Sequence, residues 1–175
     1  MAIKTIFLDR DGVINEEVSY LHKIENFKFI NGVFEACHYF QKLNYQIVIV
    51  SNQSGIARGY FSKSDYIKLT KWMLDQFDQQ NISILDTFYC PHGPDSKCHC
   101  RKPLPGMFFD AERKYNLSMR DSWMIGDKET DIEAANLAGI SNTILLRSGH
   151  KINESDSKSK YIIDSIKDSI NLINN

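Results

Sequence analysis

The chain has 175 residues, of which 42% are hydrophobic and 25% charged, a composition typical of one globular domain with a sizeable core. Its net charge of −1 gives no reason to expect nucleic acid or an anionic membrane as a partner. No apolar run approaches the roughly 20 residues that a membrane helix needs, and positions 1–4 lack the features of a secretory signal. We therefore expect a cytoplasmic protein, and take a monomer as the default.

Five apolar runs predict buried strands, and segments with a helical period lie between them. The strands are expected at 3–8, 47–50, 87–89, 123–125 and 143–146, and the helices at 32–43, 63–79, 106–115 and 129–138. A polar stretch at 151–160 predicts a loop, followed by a short edge strand at 161–163 and a terminal helix at 165–174. This alternation predicts one α/β domain over residues 1–175, with a parallel sheet between two layers of helices.

Two of these helices carry a clear apolar stripe. Residues 32–43 place Val33, Ala36, Cys37, Phe40 and Leu43 on one face. Residues 63–79 place Ile67, Leu69, Trp72, Met73 and Phe77 in a similar pattern. Ser62, followed three residues later by Asp65, predicts the N-cap of the second helix.

Two aspartates directly follow the first strand. Asp9 and Asp11 lie two positions apart, and such residues project to the same side of an extended chain. Their carboxylates would crowd one point at the carboxyl end of a strand, where open α/β sheets place their sites. Because two close anions repel unless a cation or a shared proton intervenes, the pair predicts a divalent metal. One carboxylate could attack phosphorus while the other moves protons; the alternative is a solvated acidic turn.

Further polar groups follow later strands. Ser51, at the end of the second strand, begins a Ser-Asn-Gln-Ser-Gly segment that could hold phosphate oxygens, or could simply form a turn. Asp127 follows the fourth strand and could supply another oxygen to Mg²⁺. Asp131, four residues later, could orient the ligands of that metal. Alternatively, its carboxylate could simply interact with the positive end of a helix dipole. Lys102 could neutralise a phosphoryl group, although basic residues are also common on surfaces.

A compact group of soft ligands lies between positions 90 and 100. Three thiols and an imidazole, from Cys90, His92, Cys98 and Cys100, suit a closed tetrahedral Zn²⁺ site of structural type. A disulfide or free thiols are the alternative. His99 is expected to be exposed and outside the site, while His22, His38 and His150 carry no signal.

Together these motifs resemble the haloacid dehalogenase (HAD) phosphatases. The resemblance rests on the Asp-x-Asp-Gly segment 9–12, the hydroxyl residue at 51, the lysine at 102 and the Gly-Asp-x3-Asp segment 126–131. Within that superfamily, the zinc loop running into Cys-Arg-Lys-Pro at 100–103 is similar to the histidinol-phosphate and D-glycero-D-manno-heptose 1,7-bisphosphate phosphatases. The segment 52–61, Asn-Gln-Ser-Gly-Ile-Ala-Arg-Gly-Tyr-Phe, resembles the heptose branch more closely.

The resemblance implies a Rossmann-like HAD fold without a separate cap domain, with a role for each matched residue. Asp9 would be the nucleophile and Asp11 the general acid and base, and Ser51 and Lys102 would hold the phosphoryl group. Mg²⁺ would be bound by Asp9, Asp127 and Asp11, the last through its backbone carbonyl. Zn²⁺ would be bound by the four ligands above. The sugar phosphate would meet Glu17, Val18, Ser19, Tyr20, Ser51, Asn52, Gln53, Ser54, Arg58, Arg101, Lys102 and Lys128.

The expected reaction is therefore removal of the 7-phosphate from a heptose 1,7-bisphosphate through an aspartyl-phosphate. In the heptose branch this step belongs to precursor synthesis for lipopolysaccharide or other glycoconjugates. Three alternatives stay open at this point: histidinol-phosphate hydrolysis, a non-catalytic phosphate-sensing or interaction module on the same fold, and a phospho-accepting receiver domain, which the zinc loop fits poorly.

Overall fold

The computed structural model describes residues 2–174. Six parallel strands form one sheet in the order β3-β2-β1-β4-β5-β6. The strands are β1 Thr5–Leu8, β2 Gln46–Asn52, β3 Asp86–Cys90, β4 Trp123–Gly126, β5 Asn142–Leu146 and β6 Tyr161–Ile163. All-parallel sheets need both faces covered, and the strands accordingly read as nearly continuous apolar runs.

Four α-helices connect the strands: α1 Val33–Lys42, α2 Lys63–Gln79, α3 Gly106–Tyr115 and α4 Glu129–Leu137. Residues on the two faces of the sheet build two apolar cores. One contains Phe40 of α1 and Phe77 of α2, and the other contains Phe108 of α3 and Ala134 of α4. Side chains of β1 alternate between the cores, with Ile6 facing the first of them. The predicted α/β class and HAD architecture are confirmed.

Some predicted details are wrong. The predicted terminal helix over 165–174 is a shorter 3₁₀ helix over Ile166–Asn171, and the expected loop at 151–160 contains a 3₁₀ turn at Glu154–Asp156. In α2, Ile67 is 52% exposed, because the buried face consists of Tyr66, Leu69, Thr70, Met73 and Phe77. The predicted cap of this helix is confirmed: Ser62 and Asp65 form a capping box.

The strand order places a crevice beside β1. The chain builds β2 and β3 on one side of β1 and then returns to add β4 on its other side. Ligands of open α/β sheets bind at such a switch point, outside the carboxyl ends of the strands. None of the helices within residues 2–174 is long and apolar enough to cross a membrane.

We predict that Phe77→Ala lowers the free energy of unfolding by about 3–5 kcal/mol, because it leaves a cavity in the core. The Phe77 ring is fully buried and packs edge-on against Phe29 and Phe34. Urea unfolding measures the change. Leu137→Ala is the control: Leu137 is 62% exposed, so its truncation should cost less than about 0.5 kcal/mol. Equal losses in the two variants would contradict the described core.

Candidate active site and metal-binding loop

Two neighbouring strands bring Asp9 and Asp127 to the crevice. Leu8 of β1 pairs with Ile125 of β4, and the Asp9 amide donates a hydrogen bond of 3.1 Å to the Ile125 carbonyl. Asp9 therefore begins where β1 ends, directly beside the end of β4. Asp127 follows that end and is completely buried. The parallel register, set by apolar residues, thus brings together two carboxylates that lie 118 positions apart in the chain.

The Lys102 ammonium lies beneath this crevice and joins three elements. It donates to Asp9 Oδ1 at 2.8 Å and to the Val50 carbonyl of β2 at 2.7 Å, and its Nζ lies 2.7 Å from Asp131 Oδ1 of α4. An ammonium has three donors, so these partners match its capacity. Lys102 is buried, and such a charge is stable only when it is paired and hydrogen-bonded as here.

The electrostatics of this group favour an additional cation. Burial raises the pKa of the Asp9 carboxyl well above its usual value; Lys102 lowers it, and the Asp131, Asp127 and Asp11 carboxylates raise it again. Burial also lowers the pKa of Lys102, but its two carboxylate partners outweigh this and hold the pKa above its ordinary value. Lys102 thus stays charged. Its single positive charge does not balance the negative charges of all the neighbouring carboxylates. A bound cation would favour the ionised form of Asp9.

Oxygen ligands for such a cation are present. Carboxylate oxygens of Asp9, Asp127 and Asp131 all lie within 4.8 Å of one another. Asp131 is already occupied, because its Oδ2 accepts the backbone N–H groups of Asp127 and Lys128 and its Oδ1 faces Lys102. Asp127 Oδ1, in contrast, is buried without a hydrogen-bond partner among residues 2–174. An orphaned carboxylate oxygen beside a second carboxylate fits a hard divalent ion such as Mg²⁺.

The Asp11 carboxylate lies outside this group of metal-ligand oxygens. It accepts hydrogen bonds from Arg10 at 2.9 Å, Asn15 at 3.0 Å and Gln53 at 3.2 Å. The Asp11 side chain therefore belongs to the wall of the cleft, which suits a residue that could bind a metal only through its backbone. Sequence reasoning missed Arg10, which is buried and also donates to the carbonyl of Leu21.

A cleft of about 310 Å³ opens above these groups. Most of the residues expected at the site line it, namely Asp9, Asp11, Glu17, Val18, Ser19, Tyr20, Asn52, Gln53, Ser54, Arg58, Arg101, Lys102 and Lys128. Ser51 and Asp127 do not line the cleft but are buried. The Ser51 hydroxyl accepts a hydrogen bond of 3.2 Å from Gln53, which links it to the cleft wall.

His150 also lines the cleft, although no sequence pattern pointed to it. It lies in the segment after β5, and its ring Nδ1 is 2.6 Å from Asp127 Oδ2. Its Nε2 is 3.6 Å from Glu17 Oε1, too long for a hydrogen bond. The only sequence signal is its place just after a parallel strand, because the carboxyl ends of such strands share one edge of the sheet.

The four expected zinc ligands come together at the end of β3. The Cys90 and Cys98 sulfurs are 3.7 Å apart, and His92 Nδ1 lies 3.4 Å from the Cys90 sulfur and 3.3 Å from that of Cys100. Ligand atoms about 2.3 Å from a tetrahedral Zn²⁺ stand about 3.7 Å from one another, so this spacing fits the ion. His99 is exposed and outside the group, as expected.

The loop that carries these four residues, 90–100, continues directly into the cleft. The Arg101 guanidinium donates to the His92 carbonyl at 3.2 Å. The Asn52 side chain donates to the Lys102 carbonyl and accepts from the Lys102 amide, both at 3.0 Å. The loop and the end of β2 thus hold the backbone of Lys102 from two sides.

Comparison with known proteins identifies the family. Residues 99–169 match the HAD-hydrolase-like family model. The chain is 44% identical to D-glycero-beta-D-manno-heptose-1,7-bisphosphate 7-phosphatase of Vibrio cholerae, an alignment covering 96% of this chain and 95% of the relative. It is 46% identical to D-glycero-alpha-D-manno-heptose-1,7-bisphosphate 7-phosphatase of Campylobacter jejuni, over 86% and 87%. The chain belongs to the heptose-1,7-bisphosphate 7-phosphatase family. It is therefore a HAD phosphatase, a phosphoric monoester hydrolase.

A solved member of this family shares the fold. The crystal structure of D,D-heptose 1,7-bisphosphate phosphatase from B. bronchiseptica, complexed with magnesium and phosphate, superimposes with a TM-score of 0.85 at 29% identity, over 97% of both chains. That protein binds magnesium, which agrees with the oxygen-rich group described above. The chain is similarly identical to the alpha and beta enzymes, at 46% and 44%.

We predict that Gly12→Ala destabilises the protein more than Gly59→Ala. Both glycines have positive φ angles, 84° and 74°, so alanine at either site incurs a cost of about 1–2 kcal/mol. A Cβ on Gly12 would also lie 2.2 Å from Asp127 Oδ2, whereas nothing lies within 4 Å of one on Gly59. Urea unfolding of the two variants isolates the clash. Equal destabilisation would contradict the close approach of the Gly12 turn to Asp127.

Proposed function

We propose that this protein hydrolyses the 7-phosphate of a D-glycero-D-manno-heptose 1,7-bisphosphate, in precursor synthesis for lipopolysaccharide or another glycoconjugate. The observation that carries the proposal is Asp9, a carboxylate on the floor of the cleft that is held by a buried ammonium. The relatives that are 38–46% identical to this chain are named for this activity. We also propose that residues 1–175 form one domain and that the protein acts as a monomer, because residues of one chain line the cleft.

In the first step, an Asp9 carboxylate oxygen attacks phosphorus and the bond from phosphorus to the sugar oxygen breaks. Asp11 gives its proton to the departing alkoxide, which leaves as the free 7-hydroxyl group. In the second step, Asp11 takes a proton from water as the water attacks the aspartyl-phosphate. Inorganic phosphate leaves, and both carboxyl groups return to their starting states.

Mg²⁺ would be held by Asp9, Asp127 and the backbone carbonyl of Asp11. When bound, it supplies positive charge that neutralises the phosphoryl oxygens. The Lys102 ammonium adds a second positive charge fixed next to Asp9, and the Ser51 hydroxyl is expected to donate to a phosphoryl oxygen. The orphaned oxygen of Asp127 supports this metal assignment.

The sugar and its second phosphate would occupy the remaining cleft. Arg58, Arg101 and Lys128 line it and provide cations for the phosphate groups, while Glu17 and Asn52–Ser54 provide polar partners for hydroxyl groups. Zn²⁺ at Cys90, His92, Cys98 and Cys100 would fix the loop that carries Arg101 and Lys102. This ion would have a structural role, because all four of its positions are filled by protein ligands.

We predict that Asp9→Asn lowers kcat by more than about 10³-fold, since an amide cannot form the acyl phosphate. Phosphate release with Mg²⁺ should be measured on the alpha and beta heptose bisphosphates and on histidinol phosphate. Asp75→Asn, at an exposed position of α2, is the matched control and should keep full activity. If the wild-type protein releases no phosphate from either bisphosphate, the proposal fails. Higher kcat/KM on histidinol phosphate would instead support the alternative substrate.

Removal of zinc is predicted to disorder residues 90–100 and to raise KM, because Arg101 would lose its fixed position. A zinc-selective chelator, followed by gel filtration and return of Mg²⁺, prepares the sample, and metal analysis verifies that zinc is absent. Adding zinc back should restore KM. Unchanged kinetics in verified zinc-free protein would refute this role of the loop.

A further inference from the structure

The segment after β5 packs directly on the Asp127 carboxylate. A Cβ on Gly149 would lie 2.1 Å from Asp127 Oδ2, so only glycine allows this approach. The next residue, His150, contacts the same oxygen twice: its backbone N–H at 2.9 Å and its ring Nδ1 at 2.6 Å. Since a carboxylate accepts both bonds, Nδ1 carries the proton in this arrangement.

These two bonds make the oxygens of Asp127 unequal. Oδ2 has two donors, whereas Oδ1 finds no partner anywhere in the described chain and is shielded from water. Two hydrogen bonds to one oxygen also restrict rotation of the carboxylate about its Cβ–Cγ bond. Oδ1 is therefore the oxygen left for a cation.

We propose that His150 is a positioning residue for the metal, which holds Asp127 so that Oδ1 alone binds Mg²⁺. The inference rests on the proposed function, in which Asp127 is a metal ligand. Groups that hydrogen-bond to ligating carboxylates orient them, and their removal commonly weakens metal binding by about 10–100-fold. The backbone N–H of His150 survives any substitution of its side chain, so we expect an effect at the lower end of that range.

Two substitutions separate the hydrogen bond from the bulk of the ring. His150→Asn places an amide N–H at the same number of bonds from the backbone as Nδ1 and preserves the donor. His150→Leu has a similar volume but no donor, and it excludes a replacement water. His38→Leu is the control, because His38 lies on α1 and does not line the cleft.

Metal binding is measured without substrate, from the rise of the melting temperature with MgCl₂ at constant ionic strength. His150→Leu should weaken the apparent Mg²⁺ affinity about 10-fold, and His150→Asn should stay within about threefold of the wild type. Activity assays should show that saturating Mg²⁺ restores kcat of His150→Leu to near the wild-type value. A purely structural defect would not be rescued by Mg²⁺.

The inference is overturned if folded His150→Leu binds Mg²⁺ as tightly as the wild type, or if His150→Asn is as weak as His150→Leu. Both results are distinct from failure of the proposed function. If the proposed function fails, the wild-type protein itself will neither respond to Mg²⁺ nor release phosphate.

Discussion

The buried ammonium of Lys102 is the interaction on which the rest of the site depends. It connects Asp9 after β1, Val50 in β2 and Asp131 in α4. Removal of a single partner from such a buried group leaves an uncompensated charge, which typically costs several kcal/mol. The contact with Lys102 also fixes one carboxylate oxygen of Asp9, the residue proposed as the nucleophile. The same buried ammonium therefore stabilises the fold and positions the proposed nucleophile.

The loop of residues 90–100 helps to position Lys102 for these contacts. Lys102 lies on neither a strand nor a helix, and the chain before it is the loop of Cys90–Cys100. A zinc ion would tie that loop to the end of β3, and the paired hydrogen bonds of Asn52 hold the Lys102 backbone to β2. The loop thereby places two adjacent cations, Arg101 and Lys102, at the cleft with a few local contacts. Zinc, if bound as proposed, and the Asn52 amide would together hold this part of the chain in place.

Sequence reasoning succeeds where a local pattern determines the position. Continuous apolar runs predict parallel strands, and parallel strands bring Asp9 and Asp127 to one edge. It fails where tertiary contacts decide. The contact of His150 with Asp127 spans 23 positions and depends on how closely Gly149 packs, which no local pattern encodes. Ile67 is exposed because the opposite face of α2, which contains Leu69 and Met73, packs into the core, and Ile166–Asn171 form a 3₁₀ helix that is shorter than the predicted terminal helix.

The central claim is that Asp9, fixed by Lys102, carries the phosphoryl group during turnover. Borohydride reduction tests it most directly, since it converts an aspartyl-phosphate into homoserine and leaves free carboxylates intact. The protein is quenched within a turnover on a heptose 1,7-bisphosphate, reduced, digested and sequenced by mass spectrometry. We predict homoserine at position 9, and none at Asp11 or in protein kept without substrate. Homoserine at another aspartate, or rapid phosphate release with no reducible intermediate, would contradict the account.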